Sequence, residues 1–186
     1  MNRAVAIVAG LGLLAAAYGV AATTPAEELV EAPFGTRGAI GEPISATHLI
    51  VTVHEVVLAH EVELGVWRGT TSGIWFVAEA TVEATVKATV VEADIFIDGV
   101  QYPVTRRGDG DTVDTSSAEV LFPATGPLLF ELPADVLELP GARTAVLQIS
   151  TFGDDRLDSV IEIVVDLTTL DVLDRAELEP TRAGTR

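Results

Sequence analysis

His48, His54 and His60 are the only histidines of the chain and are spaced by six residues. On one strand they would share a face, and imidazoles are the commonest ligands of zinc. Six extended residues, however, separate neighbours by roughly 20 Å, far beyond a metal's first shell. A shared ion would need a sharp turn near Ala59, so the three are expected at the surface or at a sheet edge. A second set is acidic: "RRGDGDTVD", Arg106 to Asp114, carries Asp109, Asp111 and Asp114. Asp109 and Asp111 have the one-apart spacing of hard-cation loops. Counted from Asp109, though, the fifth position is Val113, the sixth is Asp114 where glycine belongs, and the twelfth is Val120, so the helix-loop-helix calcium pattern fails. Two readings stay open for this stretch: a calcium site shared between end loops, with Gly153 to Asp155 as the second loop, or a solvated loop whose Asp and Gly serve turn geometry. Arg107-Gly108-Asp109 matches an adhesion tripeptide, but three residues recur by chance too often to carry a function.

Other chemistries find less. Ser72 lies in "TTSGI" and not in a G-x-S-x-G elbow, and neither H-E-x-x-H nor a glycine-rich phosphate loop is present. A pair of acids for glycoside cleavage is not singled out among 28 carboxylates. Trp67 and Trp75 flank "RGTTSG", an expected loop. Trp75 falls on the polar parity of its strand, which favours exposure or an inter-sheet edge over a central place, yet a core or edge-covering role outweighs display to a partner because sandwiches commonly bury tryptophan. No residue is therefore assigned a catalytic, cofactor-binding or metal-ligating role, and neither catalysis nor a cofactor is expected.

Charge and composition narrow the partners. The net charge is -17, with Lys87 as the single lysine, so nucleic acid and anionic lipid are repelled. A basic partner, a divalent cation or a high-salt setting fits better. The chain has no cysteine, which excludes disulfides, thiolate metal sites and a cysteine nucleophile. With 186 residues it has room for one ordinary domain and an anchor or tail.

The elements that must position these residues are strands. From Ile74 to Val90 apolar residues occupy one parity, with Glu79, Thr81, Glu83, Thr85, Lys87 and Thr89 between them. The echo "ATVEATVKATVV" has an even period, so it keeps strand parity and loses a helical face. After Val90 the apolar parity passes to Val91, Ala93, Ile95 and Ile97, which predicts a break near Lys87 to Val91. Asp98-Gly99 then predicts a two-residue hairpin. Further strands are expected over 48–59, 118–122, 128–132, 144–151 and 160–167, and only Ala134 to Leu139 has a helical look. Seven or more short strands predict an all-β chain, an antiparallel β-sandwich.

Ahead of it, Ala4 to Ala22 is a run of 19 uncharged residues that follows Arg3 and precedes Glu27 and Glu28. As a helix it would be about 28 Å long, the thickness of a bilayer's hydrocarbon. The charge order predicts a cytoplasmic N-terminus and an exported remainder. Val20-Ala21-Ala22 suits signal cleavage, while the length of the run favours an uncleaved anchor. The expected organisation is an anchor or signal peptide over 1–22, an extracytoplasmic spacer over 23–35, the sandwich over 36–167 and a tail over 168–186.

"GEPI" with "LIVTVHEVVLA", "GIWFVAEATVEATV", "ADIFIDGVQYPV" and "PLLFELPADVLELPGARTAVLQIS" follow one another in an order that resembles the immunoprotective extracellular, telokin-like domain family. The likeness spans about Gly38 to Leu167. It implies an immunoglobulin-like sandwich outside the membrane, of the kind found on Gram-positive and actinobacterial cells, and transfers no catalytic motif. The resulting expectation is a single-pass, membrane-tethered binding or accessory module of the cell envelope. The alternatives are a calcium-stabilised adhesion module and an extracytoplasmic hydrolase.

Overall fold

In the computed structural model, Gly12, Leu13, Tyr18 and residues 34–108, 110–153 and 159–184 are described. Nearly all of the expected anchor and of the spacer lies outside them, as do Asp109, Asp154 and Asp155. Among the described residues no helix is long and apolar enough to cross a membrane. Residues 33–186 form one compact unit.

That unit is all-β, a sandwich of two six-stranded sheets. One sheet contains β1 (Phe34–Gly38), β5 (Thr89–Ile97), β6 (Val100–Pro103), β9 (Ala145–Thr151) and β10 (Ser159–Val165) in the order β1-β10-β9-β5-β6, with β7 (Ser117–Ala118) also on β5. The other contains β3 (Leu49–Leu64), β4 (Trp67–Ala84), β8 (Ala124–Leu132), β11 (Val172–Leu178) and β12 (Arg182–Ala183) in the order β11-β3-β4-β8-β12, with β2 (Ile44–Ser45) on β3. Two pairings are parallel, β1 with β10 and β11 with β3.

Parity fixes which face is buried. Ile74, Phe76, Ala78, Ala80, Val82 and Ala84 of β4 meet Val91, Ala93, Ile95 and Ile97 of β5 in one core. The expected break falls at residues 85–88, between these strands, and the buried parity changes across it. Asp98 (φ 51°) and Gly99 (φ 77°) both lie in the left-handed region and close the β5–β6 hairpin, as that dipeptide predicts. The helical look of Ala134 to Leu139 resolves into a 3-10 turn over Val136–Glu138.

Three stretches differ from the sequence reading or settle what it leaves open. Strand pairing begins at Phe34, inside the expected spacer, because β1 pairs along β10. Residues 119–122 make only isolated bridges after the two-residue β7, Val120 with Ala84 and Glu119 with Phe122, and Leu121 takes φ 68°. The tail after Leu167, whose sequence is open to an edge strand, a docked short helix or a loose end, takes the first form at two places: β11 and β12 extend the second sheet at both of its edges.

The β3–β4 hairpin is longer than expected and bent. Its register runs from Leu49↔Ala84 to Ala59↔Trp75, then jumps to Glu61↔Thr70, so β4 spends more residues than β3 on the bend. Such mismatches kink a hairpin and increase its twist. Beyond the jump Val62 and Leu64 join Ala59, Trp75, Val77, Leu129 and Ala176 in a second buried cluster, on the face of the sheet turned away from the main core. The hairpin tip, with β11 alongside, therefore curls back over its own sheet. "RGTTSG", expected as a loop, is the inner arm of that bend, and Gly73 sits where any Cβ would collide with the Leu132 carbonyl oxygen.

Candidate functional site

The curl leaves a groove between the covering layer and the outer face of β3, β4 and β8. Strand alternation supplies its floor: Val57 and Val77 point outward on β3 and β4, with Pro127 of β8 beside them. Leu173, Ala176 and Leu178 of β11 overhang it. Its volume is about 240 Å³. The same alternation sets carboxylates around the apolar floor, Glu55 and Glu79 from the sheet and Glu177 and Glu179 from the end of β11.

Two arginines of the C-terminal segment lie near the groove, and only one of them approaches a rim acid. Arg175 is held by Glu61 through Nε at 3.2 Å and Nη2 at 2.9 Å, with Glu63 at 3.7 Å. Hydrogen bonding to Glu61 holds its guanidinium above the ordinary arginine value. Arg182 approaches Glu79 only to 3.8 Å. Glu55, Glu177 and Glu179 form no ion pair with a described residue, although Arg175 senses Glu177 at longer range.

The C-terminal segment is strapped down at the far side of the groove. Thr181 donates to the Asp111 carbonyl oxygen from both its amide and its hydroxyl, each at 2.8 Å. Gly126 has no Cβ because Thr181 lies directly against it. The Arg106–Asp114 stretch is thereby part of the support of the groove, and this role was invisible in its sequence.

The residues singled out from sequence fall apart in space. His54 and His60 are exposed and His48 is half-buried. His54 Nε2 lies 2.7 Å from Thr81 Oγ1, which in turn lies 2.7 Å from Thr125 Oγ1, a polar row across three strands. Among the described residues no group of three His, Asp or Glu could hold a metal ion.

In the acidic stretch Asp114 is not solvated. Val113 enters the main core and draws Asp114 with it in a 3-10 turn, where the carboxylate is 1% exposed. Neither of its oxygens has a well-formed hydrogen bond, and Arg106 Nε stands 3.9 Å away. Burial pushes its pKa up, opposed in part by nearby Thr112, by its own amide and by Arg106. Asp114 is therefore withdrawn from any cation site on the loop surface, and Asp109 lies outside the described residues.

Arg107 is likewise committed, with Nη1 at 2.9 Å from Glu131 and its guanidinium 5.7 Å from the centre of the Trp75 ring. Trp75 does take the outward parity, but it is fully buried beneath the second layer, edge-on to Trp67 at 6.0 Å. Sequence reasoning missed Glu55, Glu177 and Glu179 altogether. Their only signal was polar parity in β3 and an acidic run in the tail.

No protein-family model matches the chain, and no curated protein does. Among solved structures it is similar to an uncharacterized β-sandwich protein from Clostridium difficile 630, at 15% identity and a TM-score of 0.47 over 75% of this chain and 99% of that one. It is also similar to the yjhA protein from Bacillus subtilis, at 15% identity and a TM-score of 0.44 over 67% of this chain and 98% of that one. By its own two packed sheets the chain is a β-sandwich.

Proposed function

We propose that the chain is an exported, membrane-tethered sandwich of the immunoglobulin-like type that works by binding a protein or cell-envelope partner, without catalysis. The observation that carries this reading is the groove on the outer face of β3, β4 and β8, where an apolar floor and a rim of carboxylates are held by a strapped C-terminal segment. Support for the compartment comes from the uncharged run Ala4 to Ala22 with Arg3 before it and acids after it. The segments "FELPADVL" and "ADIFIDGVQYPV" support the immunoglobulin-like type through their resemblance to the extracellular telokin-like family.

Crosslinking the chain in intact cells, with the soluble unit Pro33–Arg186 as competitor, tests the reading. It predicts protease-accessible protein on the outer side of the membrane and a partner that is captured reproducibly and lost on competition. Cytoplasmic protein, or no capture that the competitor removes, overturns it.

A further inference from the structure

The groove has a chemistry narrower than binding in general. Its floor of Val57 and Val77 is apolar, and four carboxylates converge around it, from β3, from β4 and from the end of β11. A ligand that lays methylenes on such a floor and ends in a positive head satisfies both parts at once, as long basic side chains do when they snorkel. Two guanidiniums of the chain stand near it. Arg175 is used up by a two-point contact with Glu61, whereas Arg182 is 60% exposed and stops 3.8 Å from Glu79. A charge-assisted bond is usually about 2.7–2.9 Å, so Arg182 is a loose partner of the rim acid Glu79 that a better-placed cation can replace.

We propose that the groove receives an arginine or lysine side chain presented by a basic segment of a partner protein. This rests on the binding-module reading and names the partner's chemistry. Glu55, Glu177 and Glu179 lack cations of their own among the described residues, and the net charge of -17 draws basic segments toward every face. A metal ion fits less well, because no three acidic or imidazole groups among the described residues stand close enough to share one. Size favours one side chain over a whole small molecule, since 240 Å³ falls below the ~300–1,000 Å³ of pockets that enclose such ligands. The walls come from β11 and from the body of the sheet, so occupancy would also tie the C-terminal segment down.

The test follows the Val57 and Val77 methyl signals of the full chain in non-ionic micelles by NMR. The probes are a Gly/Ser peptide carrying several arginines, the same peptide with neutral citrulline in their place, and free agmatine. The arginine peptide is expected to shift both methyls and the citrulline peptide to leave them in place. Combining Glu55→Gln, Glu177→Gln and Glu179→Gln should weaken the peptide at least about tenfold, and combining Glu42→Gln, Glu119→Gln and Glu138→Gln, an equal charge change on exposed sites elsewhere, less than about twofold. Equal weakening by both triples would reduce the effect to diffuse attraction and overturn the proposal. So would unmoved methyls, or agmatine binding as tightly as the peptide, which would make the groove a site for a free amine. In cells, a partner still captured by the groove triple removes this proposal and leaves the binding reading standing; no partner with the native chain removes the reading itself.

Discussion

Asp114 concentrates at one residue what the fold must overcome. A carboxylate sealed from water with no hydrogen bond is stabilised only by a proton or a nearby cation, and Arg106, at 3.9 Å and 58% exposed, is screened by solvent. Burial therefore raises its pKa above the ordinary 3.8. A raised acid binds its proton more tightly in the folded chain than in the unfolded one. Its side chain is accordingly harmless below about pH 3.8, costs stability as pH climbs through the folded value, and keeps that cost above it. Asp114→Asn removes the charge while keeping the buried polar atoms, and should then raise stability at pH 7 by about 1 kcal/mol and change little at pH 3. Urea unfolding at the two pH values checks this; a loss at pH 7 would mean that the contact with Arg106 outweighs desolvation. Nothing in "DGDTVD" marks Asp114 as the buried member, because the cause lies in Val113 reaching the core from a loop. The groove was hidden for a related reason. Glu55 and Glu177 are two of 28 acids, and only the curl of the hairpin brings them to one rim.

At the scale of elements, alternation made most of the main sheet faces legible. Ile74 to Ala84 and Val91 to Ile97 bury the expected parity, and Asp98-Gly99 turns where it should, since both signals are local. The bend of β3 and β4 was not legible. Val62 and Leu64 continue an ordinary alternation, and it is the register jump near Ala59 that sends them to a second cluster. β11 is equally quiet, because an edge strand with one buried residue, Ala176, needs no apolar pattern. The bend itself depends on Gly73, whose missing Cβ lets β4 pass the Leu132 carbonyl. Gly73→Ala should cost about 1–3 kcal/mol through overpacking, seen as a lower urea midpoint, while the exposed neighbour Ser72→Ala should stay within about 0.5 kcal/mol. Equal midpoints for the two variants would show that the bend yields without cost.

For the whole molecule the dominant fact is charge. At -17, the folded chain repels itself, and little of that is cancelled by its surface ion pairs, which contribute about 0–1 kcal/mol each. Lengthening the screening cloud from roughly 8 Å at physiological salt to roughly 30 Å at 0.01 M lets distant acids feel one another. The melting temperature should thus rise by about 2–8 °C between 10 mM and 500 mM sodium chloride, equivalent to roughly 1 kcal/mol. A fall would show that pairs such as Arg175 with Glu61 contribute more than the repulsion. The layer that curls over the outer sheet has one more property. Its seam with that sheet holds both tryptophans of the chain, Trp67 and Trp75, while the ring pair inside the main core is Phe76 against Phe130. Indole fluorescence is consequently a lamp placed at the seam, reddening as the layer lifts and water reaches Trp75, with the main core dark at the same wavelengths.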